Sequence, residues 1–204
     1  MLEFTNIRLA QLDSNNIIQV YGHKDTLNML NISEGEMHLG ATEPIPNMRK
    51  FYDIKSLEFY NTFQIGDYKV TTIPSNHLLQ KVMVDSSESM QGANFIIEYK
   101  NETLLYAVDK DVYSESTLDF VKNFKFDKII INCNDRFFGK KSNHQNINEV
   151  NDFLHYLYRF NSIDMETPIY LPHITHNMSH FEFEKRLKDF TLNIKLAYDG
   201  LDIV

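Results

Sequence analysis

Polar and apolar positions alternate along much of residues 51–109, which predicts β-strands. The run from Phe51 to Pro74 alternates on both sides of a turn at Ile65–Asp67. Residues Asn94–Asp109 have the pattern of a hairpin, with branched and aromatic runs on both sides of the polar turn Lys100–Glu102. Further upstream, the β-rich run Asn16–Gly22 predicts another strand, a short helix is predicted over residues 3–13, and the segment 33–50 has the composition of a loop.

Beyond residue 110 the pattern changes to an alternation of helices and strands. Helices are predicted at 114–124, 146–160 and 179–189, and strands at 128–133, 168–172 and 193–200. Asn146 or Asn148 is a candidate cap for the middle helix. A series of strands followed by alternating strands and helices predicts an α/β fold with helices packed outside a β-sheet. The sequence contains no recognisable linker or repeat, so we expect a single domain over residues 1–204.

Composition limits the classes of protein that fit this pattern. The 204 residues are 43% hydrophobic and 24% charged, which suits one globular domain with a sizeable core. The net charge of −8 opposes non-specific binding to nucleic acid or to anionic membranes, although it does not exclude a local basic pocket. The chain lacks a signal-peptide pattern and a membrane-length apolar run, and its single cysteine, Cys133, fits a buried strand end. We therefore expect a cytoplasmic protein with no membrane partner.

Polar residues recur at the ends of predicted strands. His77 ends "VTTIPSNH", Asp109 ends "LLYAVD", His173 ends "IYLPH", and Asp199 closes "KLAYD". Side chains at one edge of a sheet can converge on a shared cleft, and imidazole and carboxylate groups are good ligands for zinc, manganese or iron. Each residue also has a simpler interpretation as a loop or turn residue, and Asp199 with the following glycine is an ordinary turn dipeptide.

Two histidine-containing segments leave alternatives open. The stretch "YLPHITHNMSH" contains His173, His176 and His180, and it fits either a metal site or a solvated, histidine-rich loop. His144, in "KKSNHQNINEV", stands just before a predicted helix. It could cap that helix, face solvent, or act as a general acid, a role that suits imidazole near neutral pH.

Taken in order, six segments resemble the metallo-β-lactamase fold hydrolases. They are "IIQVYG", "FQIGDYKVTTIPSNH", "GANFIIEYKNETLLYAVD", "HQNINEV", "IYLPHITHNMSH" and "LAYDGLDI". Within this family the chain is most similar to the branch of the phosphoribosyl cyclic phosphate phosphodiesterases and the transfer-RNA 3′-processing nucleases. The resemblance implies an αββα sandwich, of which residues 1–204 would form the C-terminal three quarters.

The resemblance also implies roles for individual residues. His77, Asp109 and His173 correspond to metal ligands of the family, with Asp109 bridging two metal ions. His144 corresponds to the histidine that has an acid or substrate-contact role, and His176 would hold a ligand or contact substrate. The implied activity is hydrolysis of a small-molecule or nucleotide-like phosphate ester by water that divalent zinc or manganese ions activate.

One departure from the family is large. The defining His-x-His-x-Asp-His motif, which would supply about four ligands, does not occur in the sequence, and the resemblance begins just after its expected place. The chain therefore corresponds to an N-terminally incomplete fold that is expected to bind metal weakly and to be poorly active alone. The missing motif has three explanations: the sequence is an incomplete copy of a longer enzyme, the missing half comes from another polypeptide, or the chain is a non-catalytic binding or assembly module. The strands missing from the family fold would also leave a sheet edge exposed, and a homo-oligomer could form through that edge.

Overall fold

A computed structural model describes residues 18–23, 52–78, 91–133, 145–172 and 179–203. The helix predicted over 3–13 and the loop predicted over 33–50 lie outside these ranges. The chain divides into two compact units, Met1–Glu58 and Phe59–Val204. Within the described part of the chain, no helix is both long and apolar enough to cross a membrane.

The described residues of the first unit form one pair of parallel strands, β1 (Ile18–His23) and β2 (Tyr52–Leu57). Those of the second unit form a seven-stranded sheet and three helices. In chain order its elements are β3 (Thr62–Ile65), β4 (Tyr68–Leu78), β5 (Gln91–Tyr99), β6 (Glu102–Ala107), α1 (Glu115–Val121), β7 (Lys128–Ile131), α2 (Ile147–Arg159), β8 (Ile169–Leu171), α3 (His180–Leu187) and β9 (Ile194–Leu196). The predicted strands and helices of residues 51–200 are therefore confirmed, with ends that differ by a few residues.

The seven strands lie in the sheet in their chain order, from β3 to β9. The first four are antiparallel neighbours, joined at two places by two-residue turns. Gly66 and Lys100 open these turns with φ of +54° and +53°, the left-handed conformation that such short connections require. Strands β6 to β9 are parallel, because each connection between them contains a helix that returns the chain to the other end of the sheet.

All three helices contribute to one hydrophobic core against the sheet. The strands supply inward-facing residues such as Ile96, Leu105 and Ile129, and α2 supplies Val150 and Leu157, all of them fully buried. Helices on the same face are expected, since successive right-handed crossovers in one direction along a parallel sheet place their helices on the same side. Burial of this apolar surface is the main stabilising term for the second unit.

Of the two predicted candidates for the cap of α2, Asn146 and Asn148, the structure has Asn146 in this position. Its side chain accepts hydrogen bonds from the backbone N–H groups of Asn148 and Glu149, at 2.9 and 3.1 Å, and the Glu149 carboxylate accepts from the Asn146 N–H. This reciprocal capping box fixes the first turn of α2. Ser179 and Glu182 form the same arrangement at the start of α3.

Candidate functional site

Strand direction determines which residues share an edge of the sheet. β4 and β6 are both antiparallel to β5, so they run in the same direction, and β7, β8 and β9 are parallel to β6. The carboxyl ends of these five strands therefore lie at one edge, the usual place for a ligand site in an α/β sheet. We call it the carboxyl edge.

His77 lies at the carboxyl edge near the end of β4, and its side chain is half-buried. The strand is irregular here, because its register with β5 shifts between Pro74 and Leu78 and Asn76 has φ of +54°. The backbone N–H of His77 donates to Ser75 Oγ at 3.2 Å. Opposite this irregularity stands Gly92, where a Cβ atom would lie 2.6 Å from Ser75 Oγ. A glycine on β5 thus makes room for the bend that carries His77.

Asp109 lies at the same edge, just beyond the end of β6, with an exposed side chain and φ of +54°. A left-handed conformation is uncommon for any residue except glycine and costs free energy, so the surrounding structure must stabilise it. The peptides on either side are held by buried amides. Asn94 Nδ2 donates to the Val108 carbonyl at 2.8 Å, and the Lys110 N–H donates to Asn132 Oδ1 at 3.2 Å.

Two hydrogen bonds join the segment that carries His77 to the segment that carries Asp109. The Asp111 N–H donates to the Ser75 carbonyl at 3.1 Å. Next to it, Asn76 Nδ2 donates to the Val112 carbonyl at 2.7 Å. The two segments come from strands separated by β5, so this contact brings together residues that are distant in the sequence.

Lys110, which follows Asp109, is fully buried on the helical side of the sheet. Its ammonium group donates to Gln145 Oε1 and lies 3.9 and 4.8 Å from the ring centres of Tyr113 and Phe153. Burial lowers the pKa of the Lys110 ammonium well below its usual value, although the carboxylates of Asp111 and Glu149 act in the opposite direction. The contact fixes the Asp109 loop to Gln145, immediately before the cap of α2.

The remaining predicted site residues, His144, His173 and His176, lie outside the described residues. Their neighbours in sequence, Gln145 and Pro172, are described. Gln145 contacts the carboxyl edge because its Oε1 accepts a hydrogen bond from Lys110. Pro172 contacts it because its carbonyl accepts a hydrogen bond from the Cys133 N–H at 3.4 Å. In ranges 18–23, 52–78, 91–133, 145–172 and 179–203, no three His, Cys, Asp or Glu side chains are grouped closely enough to hold a metal ion. Two of the predicted metal ligands, His77 and Asp109, are therefore among the described residues. Their imidazole and carboxylate groups suit zinc or manganese, but two ligands cannot complete a site by themselves.

Asp199 lies in a turn after β9, with the following Gly200 at φ of +88°. His180 is the first residue of α3 and His155 is exposed on α2. No signal in the sequence marks the burial of Lys110 or the bend at Asn76, since a buried lysine and a left-handed asparagine have no local pattern that distinguishes them from surface residues.

No protein-family model matches the chain, and no curated protein sequence does. Solved structures do. YhfI from Bacillus subtilis, described as a metallo-β-lactamase fold protein, is 15% identical with a TM-score of 0.65, over 98% of this chain and 70% of that one. A diphosphatase of the PhnP family is 12% identical with a TM-score of 0.66, over 98% and 64%. Zn²⁺-bound PqqB from Methylobacterium extorquens is 13% identical with a TM-score of 0.63, over 95% and 67%.

The chain thus spans about two thirds of the length of these structures, 64–70%. At this level of identity the similarity concerns the fold and not the activity. The mixed sheet, the helices that pack on it and these three similarities agree with one another and with the resemblance in the sequence. The chain has the metallo-β-lactamase fold, an α/β architecture.

Proposed function

We propose that this chain belongs to a metal-dependent hydrolase that acts on phosphate esters in the manner of a phosphodiesterase. The observation that supports this function is the placement of His77 and Asp109 at the same edge of the sheet. They lie near the ends of two strands that run in the same direction, and the bond from the Asp111 N–H to the Ser75 carbonyl joins their segments. An imidazole and a carboxylate in this arrangement are two of the ligands that a zinc or manganese site needs.

Similar structures support the same class of chemistry. One of them is described as a diphosphatase and another as Zn²⁺-bound. A phosphate substrate also suits the site physically, because divalent metal ions neutralise the charge of a phosphate group and activate water. The lone thiol of Cys133 is buried, which suits activity in a reducing cytoplasm.

Individual residues have distinct roles in this proposal. His77, Asp109 and His173 would hold the metal ions. His144 would donate a proton to the leaving group or bind the substrate, since imidazole titrates near neutral pH. His176 would orient a ligand or contact the phosphate. The chain alone is expected to bind metal weakly and to turn over slowly, because its 204 residues lack the His-x-His-x-Asp-His motif.

Metal content tests the proposal directly. The purified chain is loaded with Zn²⁺ or Mn²⁺, desalted and measured by elemental analysis, beside His77→Ala, Asp109→Ala and His173→Ala. Two variants on the exposed face of α2, His155→Ala and Asp152→Ala, are matched controls for the loss of an imidazole and of a carboxylate. We expect the site variants to lose metal and the controls to retain it. Equal metal content in all six proteins would contradict the assignment.

Hydrolysis is tested with bis(p-nitrophenyl) phosphate as a diester and p-nitrophenyl phosphate as a monoester. We expect slow, metal-dependent cleavage of the diester that disappears in Asp109→Ala and persists in Asp152→Ala. Rapid turnover by the 204-residue chain would contradict the expectation of poor activity. If only the monoester is cleaved, the diesterase assignment is rejected, and the result indicates a metal-dependent phosphatase instead.

A second candidate function is a non-catalytic binding or assembly module that retains the fold. It is favoured by one observation, the absence of the His-x-His-x-Asp-His motif. Such a module would remain folded and assembled when His77 or Asp109 is replaced, and it would contain no metal.

A homo-oligomer through a sheet edge remains a proposal as well. β3 and β9 are the outer strands of the seven-stranded sheet in the described residues, and sedimentation analysis would determine whether the chain self-associates.

A further inference from the structure

We infer that Asn76 is a positioning residue, which fixes the end of β4 that carries His77 against the loop that carries Asp109. The inference rests on the proposed metal site. It concerns how two ligands from separate strands are kept at a constant separation, and not which residues bind the metal.

Asn76 contributes through its backbone and its side chain together. Its φ of +54° bends β4 one residue before His77, and asparagine tolerates this conformation better than most residues do. The same residue donates from Nδ2 to the Val112 carbonyl at 2.7 Å, a short bond between residues 36 positions apart. One residue thus supplies both the bend next to His77 and a bond to the other loop.

The loop that accepts this bond is held on its other sides as well. Asn94, from β5, donates to the Val108 carbonyl, and Asn132, which follows β7, bonds the N–H of Lys110. These two side chains connect the Asp109 loop to the centre of the sheet. Asn76 connects it to the strand of the other predicted ligand.

A fixed separation matters because metal–ligand bonds are only about 2 Å long and tolerate deviations of a few tenths of an ångström. Ligands on two loops that moved independently would have to be ordered each time a metal ion bound. A hydrogen bond that orders them beforehand contributes to affinity, and the loss of a typical bond corresponds to roughly a two- to tenfold change in an equilibrium constant.

The test compares Asn76→Gly with Asn161→Gly. Glycine keeps the left-handed conformation accessible, so Asn76→Gly removes the amide with little backbone strain. Asn161 has φ of +57° and follows the far end of α2, a 13-residue helix about 20 Å long, so it matches Asn76 in type and conformation but not in location. Asn76→Ala serves as a second variant that loses the amide and also strains the backbone.

Two quantities are measured in each protein. The first is the hydrogen-exchange rate of the Asp111 amide without metal, because this amide bonds Ser75 beside the Asn76 contact. The second is the dissociation constant for Zn²⁺ by titration calorimetry. We expect both to rise about three- to tenfold in Asn76→Gly and to stay within twofold of the wild type in Asn161→Gly.

Unchanged exchange at Asp111 in Asn76→Gly would overturn the inference, because the contact would then hold nothing in place. Faster exchange with unchanged zinc affinity would also overturn it, since Asn76 would be only a structural residue. A wild-type chain that binds no zinc would reject the proposed metal site, and the positioning role with it. That result is distinguishable because it is seen in the wild type, before any Asn76 variant is compared.

Discussion

Replacement of Lys110 by methionine provides a sharp test of the interior of this site. Methionine keeps an unbranched side chain of similar length and removes the ammonium group. The lysine is fully buried, with Gln145 as its hydrogen-bond partner and the rings of Tyr113 and Phe153 beside it. Removal of the charge eliminates a desolvation cost, but it leaves the buried Gln145 side chain without this partner.

The two effects differ in their dependence on pH. An unpartnered buried amide costs about 1–3 kcal/mol at any pH. The desolvation cost depends on protonation, because burial lowers the folded-state pKa of Lys110 below its unfolded value. Above the unfolded pKa, near 10.4, both states of Lys110 are neutral and the charge contributes nothing. As the pH falls from there towards the folded-state pKa, the unfolded chain binds the proton first, and the wild type loses about 1.4 kcal/mol of stability per pH unit.

Urea unfolding between pH 7 and pH 10, in buffers with a chelator, measures this difference. We expect the free energy of unfolding of the wild type to rise relative to Lys110→Met as the pH increases. Lys125→Met, which removes an exposed lysine after α1, corrects for the general loss of a positive charge. A difference between wild type and Lys110→Met that stays constant over this range would refute the reasoning, because Lys110 would then have the same pKa in the folded and unfolded states.

The helix caps give two further predictions. Asn146→Ala should lower the free energy of unfolding by about 0.5–2 kcal/mol in urea titrations, whereas Asn148→Ala, on the exposed face of the same turn, should not lower it. The Ser179 hydroxyl and N–H lower the pKa of the Glu182 carboxyl, so their contribution is present above the unfolded pKa and is lost as the pH falls through the folded value. The melting temperatures of wild type and Ser179→Ala should therefore differ more at pH 7 than at pH 3, and an equal difference at both would contradict this account.

Local patterns were sufficient to predict most of the second unit. Alternation gave the meander of β3 to β6, and the switch to helical spacing gave the three crossover helices. Their ends were less well predicted. The last strand was expected to reach Gly200 and ends at Leu196, because its final residues form a turn in place of sheet pairing. Such ends depend on long-range partners, which periodicity does not encode.

The site was predictable only in part, for a related reason. His77 and Asp109 stand at predicted strand ends, and the resemblance to the metallo-β-lactamase fold hydrolases implied that they are ligands. Asn76 was not predictable, since its bend and its bond to Val112 depend on a loop 36 residues away. The burial of Lys110 became apparent only from the packing of α2. Residue type, position and resemblance thus indicated the candidate ligands, whereas the groups that hold their backbone required three-dimensional contacts.

The distribution of buried polar groups bears on the choice between an enzyme and a module that retains only the fold. Buried amides and ammonium groups are costly unless they are bonded, and apolar side chains in their place often give equal or greater stability. In the described part of the second unit, the buried residues that carry an amide or ammonium group are Asn94, Lys110, Asn132 and Gln145, which belong to the Asp109 loop or bond to it. Asn94 and Asn132 bond the peptides on both sides of Asp109. These bonds fix the backbone that carries a candidate ligand, so their position at this edge fits the catalytic proposal.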